Sequence, residues 1–182
     1  MFEFKFTLGD EDYVLFNQYH LLNSPLGKKS LMNCRLSFPA VALALILIFW
    51  IVGLDSSLIL TEAIVMIISS ILWVVFSKKI LLKTMSRKIV KMKKGSRLPY
   101  SSEGTLTFDG ESIHEVTLNT DNRTNYRLIE KIAVTEKAIY IYFSSVQAYI
   151  LPLTAFSSDL EKQQFLEFIT SKVNTLKDNQ SH

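Results

Sequence analysis

The sequence of 182 residues lacks several features that would point to a compartment or a chemistry. It contains a single cysteine, Cys34, so an intramolecular disulfide is excluded and an oxidising compartment is not implied. Its six glycines are too scattered to form a phosphate-binding loop or a dinucleotide fingerprint. Met1 to Thr7 alternates charged and aromatic residues, so no cleaved secretory signal is expected there.

Acidic residues are missing from the middle of the chain. Lys78 to Arg97 contains seven lysines and two arginines without an acid, whereas eleven acids and seven basic residues lie between Glu103 and the last residue. The overall charge of +3 therefore hides a basic segment followed by an acidic one. Such a segregation predicts that the basic segment faces an anionic surface.

Charge is also absent from Leu36 to Leu54 and nearly absent from Leu58 to Phe76, two runs of nineteen residues each. A helix of that length spans about 30 Å of hydrocarbon. The three residues Asp55 to Ser57 are too few to form a domain between the runs. The sequence therefore predicts a transmembrane helical hairpin over residues 36–76, with spans at 36–54 and 58–76.

The basic residues predict the orientation of this hairpin. Lys28, Lys29 and Arg35 precede the first run, nine basic residues follow the second, and the connection has none. By the positive-inside rule, the chain is expected to cross the cell membrane twice, with both termini in the cytoplasm.

Glu62 is the one ionisable residue within the two apolar runs. It is a candidate intramembrane polar site for an ion or proton. Because it lies about one turn inside the second run, it can also reach the outer interface or help to cap the helix start, and this interpretation is favoured.

Residues 77–98 are predicted to continue the second span as a basic juxtamembrane helix. Leu82, Met85, Ile89 and Met92 recur at helical spacing, with basic residues on the other faces. Such a helix suits an anionic leaflet, whereas the lack of interleaved aromatic residues disfavours a nucleic-acid partner. The candidate lipid-surface residues are Lys83, Arg87, Lys88, Lys91, Lys93 and Lys94.

Residues 99–182 have the pattern of a small antiparallel sheet followed by a helix. Gly95, Ser96 and Pro99 break the preceding helix, and Ser158 to Glu161 has the spacing of a capping box. The predicted strands are Gly104 to Phe108, Ser112 to Leu118, Thr124 to Val134, Ala138 to Phe143 and Gln147 to Leu151.

Residues 1–35 are predicted to form a cytoplasmic strand and an amphipathic helix. Phe2, Phe4 and Phe6 alternate with polar residues, and Asp10 begins a helix through about Leu22. A single strand is not stable alone, so we expect this one to pair with the later sheet.

Six features of the sequence together resemble a known family: Phe2 to Thr7, Asp12-Tyr13, Tyr19-His20, the paired apolar runs, Ala148 to Phe156 and Phe165 to Ile169. On these features the chain resembles the YcxB-like membrane proteins. The resemblance implies that the C-terminal part has a pleckstrin-homology-like fold, and it implies no particular activity. The expected fold class is a membrane α+β protein, with a two-helix hairpin and a small pleckstrin-like sheet domain capped by a C-terminal helix.

The sequence predicts no catalytic residue, metal site or cofactor. His20, His114 and His182 are far apart and none has a metal-helix spacing. His114 alternates with Val116 and Leu118, which places it on the inner face of the predicted sheet or at its end.

These observations lead to a non-enzymatic bacterial inner-membrane protein that presents a pleckstrin-like module at the cytoplasmic leaflet. Its expected partners are membrane lipids, and a protein partner or a second copy of the chain stays open. Two alternatives stay open: a subunit of a transporter or channel that uses Glu62, and a membrane-bound enzyme with a dispersed site. The enzyme alternative requires a polar pocket with a perturbed ionisable group.

Overall fold

A computed structural model of the chain describes residues 1–94, 103–118 and 120–178. Side chains of the helical residues 93, 94, 177 and 178 are not described. The predicted helix break at Gly95, Ser96 and Pro99 lies outside the described residues, as do Asn119 and His182. The elements, in chain order, are β1 (Phe2–Thr7), α1 (Asp10–Asn23), α2 (Pro25–Val52), α3 (Ser56–Lys94), β2 (Glu103–Phe108), β3 (Ser112–Thr117), β4 (Asp121–Asn125), β5 (Lys131–Val134), β6 (Ala138–Tyr142), β7 (Ala148–Pro152) and α4 (Asp159–Asp178).

The helices begin and end at residues that suit those positions. Ser24 caps α2, because its Oγ accepts a hydrogen bond of 3.0 Å from the backbone N–H of Gly27. Gly53 follows α2 with a φ of 78°, a left-handed conformation that favours glycine. Asp55 then accepts a hydrogen bond of 2.7 Å from the Ser57 N–H at the start of α3.

The two long helices are apolar enough and long enough to span a membrane. The prediction of two apolar helices separated by a short connection is therefore confirmed. Both helices extend beyond the predicted runs: α2 starts at Pro25, and α3 passes without a break from its apolar part into the basic segment.

The chain forms two compact units, and residues 17–90 make up the helical one. Within it, the Trp73 indole N–H donates a hydrogen bond of 2.8 Å to the Cys34 carbonyl, and the rings of Trp73 and Phe38 lie 6.0 Å apart. These contacts join α2 to α3. Trp73 is therefore a packing residue of the helical unit.

The second unit, called the strand unit below, contains residues 1–16 and the described residues from 91 onward. Its strands are all antiparallel and form a four-stranded sheet of order β1-β2-β3-β4 and a three-stranded sheet of order β5-β6-β7. β1 pairs with β2 from Phe2 opposite Phe108 to Thr7 opposite Glu103. The expectation that the N-terminal strand joins the later sheet is confirmed.

The prediction of one strand from Thr124 to Val134 is wrong. Asn125 accepts a hydrogen bond of 2.9 Å from the Arg127 N–H and starts a 3₁₀ turn over Tyr126–Leu128. The buried Tyr126 donates its hydroxyl proton to the Asp109 carbonyl at 3.0 Å. This local capping and burial separate β4 from β5, and the chain passes from the first sheet to the second at this turn.

A cluster of aromatic rings attaches α4 to the first sheet. The Phe165 ring on α4 lies 5.0 Å from the Phe4 ring and 4.7 Å from the Phe108 ring, and all three side chains are buried. The predicted capping box is present, since Ser158 Oγ accepts a hydrogen bond of 3.1 Å from the Glu161 N–H. The Glu161 carboxylate reaches one residue further back, to the Ser157 N–H at 2.6 Å.

The substitution Phe165→Ala tests this packing. We expect it to lower the free energy of unfolding of the strand unit by about 3–5 kcal/mol, the usual cost of removing a buried phenylalanine. Chemical unfolding of the full-length protein in detergent, followed by hydrogen exchange of α4 and β1, measures the effect. Leu160→Ala is the control, because Leu160 lies on the same helix and is 66% exposed. Equal effects of the two substitutions would contradict the proposed packing.

Candidate functional site

The strand unit contains an open cleft of about 220 Å³ between strands of the two sheets and the start of α1. Its polar side chains come mainly from β3, β4 and the segment that leads into β7. The twelve lining residues are Phe6, Leu8, Tyr13, Glu115, Thr117, Thr120, Asn122, Phe143, Gln147, Ala148, Tyr149 and Ile150.

Glu115 enters this cleft because of the alternation of side chains along β3. Ile113, two residues earlier, is fully buried, so the side chains of Ile113 and Glu115 lie on the inner face of the sheet. Across the sheet, Glu115 is opposite Leu106 on β2 and Asn122 on β4. The strand register thus places a carboxylate where an apolar side chain is usual.

The environment of Glu115 disfavours its charged form. Burial raises the pKa of the Glu115 carboxyl above its ordinary value. Among the described residues, no side chain or backbone group forms a hydrogen bond or an ion pair with this carboxylate. Glu115 is therefore a partly desolvated acid without a structural partner in the described part of the chain.

Tyr149 forms another wall of the cleft, and a hydrogen bond with Thr124 fixes its side chain. Its hydroxyl shares a hydrogen bond of 2.6 Å with the buried Thr124 hydroxyl. Burial raises the pKa of Tyr149, the hydrogen bond shared with Thr124 opposes that shift, and the nearby Glu115 charge adds to it. The Phe143 ring packs 4.8 Å from the Tyr149 ring, so the two aromatic groups are adjacent.

His114 lies on the opposite face of β3, and its expected inner-face position is wrong. It pairs with Asp121 on the outer face, with 2.6 Å between His114 Nε2 and Asp121 Oδ1. The apolar Val116 and Leu118 suggested the other phase, but both are exposed, and the burial of Ile113 fixes which side faces inward.

The candidate basic residues follow α3 after its apolar part. Lys83, Arg87 and Lys91 recur at four-residue spacing, and they and Lys88 are exposed. The backbones of Lys93 and Lys94 belong to α3, whereas their side chains are outside the described set. The structure thus places the described candidates on one helix with accessible side chains.

The opposite stripe of this basic segment is less accessible. Ile89 is buried, Leu82 and Met85 are half-buried, and Met92 is exposed. Within the helical unit, the Gln18 side chain donates a hydrogen bond of 3.1 Å to Ser86 Oγ on the same segment. The segment therefore has a packed side and a charged side, as its sequence pattern indicates.

Glu62 lies in the apolar part of α3 and is exposed. The cap at the start of that helix comes from Asp55, so Glu62 is not needed for it. In the described ranges, no three His, Cys, Asp or Glu side chains gather in a way that could hold a metal ion.

Comparison with protein families adds one assignment. Residues 108–169 match the family model described as YcxB-like protein. The match confirms the resemblance for this third of the chain, from the end of β2 to the middle of α4. No curated protein and no solved structure matches the chain.

The YcxB-like segment contains nine of the twelve residues that line the cleft. The other three, Phe6, Leu8 and Tyr13, come from the N-terminal strand and helix. The description of the family names no activity, ligand or partner. The sequence pattern did not identify the polar cleft residues Glu115, Asn122 and Gln147 as candidates, although an acid in phase with Ile113 is a detectable signal.

The substitution Glu115→Gln tests the cost of the cleft carboxylate. The pKa of the Glu115 carboxyl is higher in the folded protein than in the unfolded one. The stability associated with its protonated form is therefore fully present below the unfolded pKa and is lost as pH rises through the folded pKa. We therefore expect the variant to be more stable at pH 7, by about 2 °C in Tm after allowance for solvent screening.

Thermal unfolding of the full-length protein in detergent, followed by circular dichroism, measures this difference. It should disappear near pH 3.5, about one unit below the ordinary glutamate pKa, where the carboxyl is protonated in both states. The exposed Glu136→Gln serves as the control and should leave Tm unchanged. A lower Tm for Glu115→Gln at pH 7 would show that the carboxylate stabilises the fold.

Proposed function

We propose that α2 and α3 form a transmembrane hairpin in a bacterial inner membrane and that both chain termini lie in the cytoplasm. Other residues of the protein bury almost none of the apolar parts of these helices, whereas the core helices of a soluble protein are mostly buried. Ser56 to Lys78 corresponds to about 33 Å of helix, close to the thickness of a bilayer core. The basic residues before and after the apolar runs support the orientation.

We further propose that the strand unit is a pleckstrin-like module. The support is that its described residues form seven antiparallel strands, divided into sheets of four and three and followed by one C-terminal helix. Under this proposal, the helices α1 to α3 are inserted between the first and second strands of the module. The fold alone does not assign a ligand, so the function must be argued from particular side chains.

The function that these features support best is non-enzymatic attachment and recognition at the cytoplasmic leaflet. The observation that carries it is the row of exposed basic side chains, Lys83, Arg87, Lys88 and Lys91, on the helix that continues directly from an apolar span. Each cation near an anionic surface contributes about 1 kcal/mol of attraction. The proposed ligands are anionic lipid headgroups or an acidic surface of a protein partner.

The cleft favours binding over catalysis. It satisfies the requirement of the enzyme alternative for a polar pocket with a perturbed ionisable group. However, among the described residues that line it, Glu115 is the only carboxylate, and none is a histidine, cysteine, lysine or arginine. General acid–base and nucleophilic mechanisms usually combine two such groups.

The proposed topology predicts which positions are accessible from outside the cell. In a Cys34→Ser background, Ser56→Cys places a thiol in the turn between the helices, and Lys137→Cys places one in the strand unit. We expect a membrane-impermeant maleimide to label the first in intact spheroplasts and the second only after permeabilisation. Labelling of Lys137→Cys in intact spheroplasts would contradict the proposed orientation.

The proposed role of the basic residues predicts a lipid-dependent environment for their helix. A fluorophore attached through Met92→Cys, in the Cys34→Ser background, should shift its emission to shorter wavelength in anionic nanodiscs relative to zwitterionic ones. Reversal of the four charges by Lys83→Glu, Arg87→Glu, Lys88→Glu and Lys91→Glu should abolish the difference, because attraction becomes repulsion.

The matched control reverses two exposed charges of the strand unit, Arg127→Glu and Lys137→Glu, and should retain the lipid-dependent shift. A photoreactive residue in place of Lys91 then identifies what the helix contacts in intact membranes, lipid or protein. Reversal of the other three charges, at Lys83, Arg87 and Lys88, that leaves both the fluorescence shift and the cross-links unchanged would overturn the proposal.

A further inference from the structure

We propose that the cleft beside Glu115 binds an organic cation, with an ammonium or guanidinium head group on the Glu115 carboxylate and aromatic walls around it. The charge of this site is opposite to that of the basic part of α3, which attracts anions. It also goes beyond the recognition role proposed for that helix, because it assigns a ligand class to the strand unit.

The first argument is that the Glu115 carboxylate lacks a structural role in the described part of the chain. It lies on the inner face of β3, in phase with the fully buried Ile113. Yet no group of the described residues forms a hydrogen bond or an ion pair with it. A partly buried carboxylate without a partner lowers the stability of a fold. A ligand that brings a positive charge and N–H donors would supply the missing interaction.

The second argument concerns the side chains around the carboxylate. Asn122, directly opposite Glu115 in the sheet, adds an amide oxygen, and Gln147 adds another at the cleft wall. Phe143 and Tyr149 lie side by side at the same cleft. Carbonyl oxygens accept N–H donors, and aromatic rings attract cations through their negative faces.

The third argument is the absence of competing charge. Among the described residues that line the cleft, none is basic, so the Glu115 charge is not neutralised from within. An anionic ligand would meet an uncompensated carboxylate, and a neutral apolar ligand would leave that carboxylate desolvated. The lining therefore selects for positive charge.

The size of the cleft limits the ligand. Its volume of about 220 Å³ is smaller than the roughly 300–1,000 Å³ of pockets that enclose drug-sized molecules. It suits one cationic head group with a short aliphatic stem. That chemistry occurs both in free small amines and in lysine or arginine side chains of a partner protein.

Ligand-observed nuclear magnetic resonance on the full-length protein in a non-ionic detergent tests the proposal at pH 7. The cationic probes are n-butylamine and methylguanidine, and the matched neutral and anionic probes are n-butanol and butyrate. We expect the cations to bind with Kd values in the millimolar range, as suits ligands of so few atoms, and the other two to bind at least tenfold more weakly.

Glu115→Gln should weaken binding of both cations by about tenfold or more, because it removes the charged acceptor. Glu115→Asp keeps the charge on a shorter side chain and should retain part of the affinity, whereas the exposed Glu136→Gln should leave it unchanged. Circular dichroism verifies that each variant is folded. Phe143→Leu should weaken the cations more than n-butanol if the rings contribute through their charge distribution.

Two further probes distinguish the sources of the cation. Binding of Nα-acetyl-lysine amide and Nα-acetyl-arginine amide in preference to the simple amines supports a protein side chain as the ligand, and the reverse preference supports a free amine. Absence of binding by any cation up to about 50 mM, some tenfold above the expected millimolar range, would overturn the proposal. Equal affinity of n-butylamine and n-butanol, or unchanged affinity in Glu115→Gln, would overturn it as well.

Discussion

The pairing of β1 with β2 is the contact on which the strand unit depends. It joins Phe2–Thr7 to Glu103–Phe108, although residues 8–102, with both apolar helices, lie between them in the chain. The loop-closure cost rises only slowly with length, so a long insertion between paired strands is compatible with a stable fold. The pairing also brings Phe4 to the aromatic cluster of Phe108 and Phe165, which makes the N-terminal strand part of the core. During synthesis, β1 must therefore wait for β2 until all three intervening helices have been made.

The departure of the chain from the first sheet gives the strand unit its cleft. If Thr124 to Val134 were one continuous strand, the segment after Tyr126 would extend the first sheet. Instead, the Asn125 cap and the buried Tyr126 redirect the chain, and β5, β6 and β7 form a second sheet. The cleft is lined by β3 and β4 of the first sheet and by β7 of the second. The 3₁₀ turn is thus a precondition of the site, although none of its residues lines the cleft.

Sequence patterns predicted the features that depend on local chemistry. The absence of charge defined the apolar helices, the Ser158 box defined the start of α4, and the alternation of Phe2, Phe4 and Phe6 defined β1. The break after Thr124 was missed because its β-branched and aromatic residues suit a strand, whereas the decisive contact, Tyr126 to Asp109, joins residues that are distant in the chain. Glu115 was missed for a related reason. Val116 and Leu118 suggested one phase for β3, and only the packing of Ile113 against the core selects the other.

The two charged features of the chain differ in what their charges do for the fold. The four basic side chains Lys83, Arg87, Lys88 and Lys91 on α3 are exposed. Water therefore solvates their charges, and no ion pair is needed to keep them in the fold. Glu115 has no such freedom, because its strand register fixes it on the inner face, where burial opposes its ionisation. An apolar or neutral polar residue would fit that position at lower cost, since no described group requires the carboxylate. Proteins commonly accept such local costs where a binding site requires them. The proposed cationic ligand thus explains the position of Glu115 better than the residues around the carboxylate do.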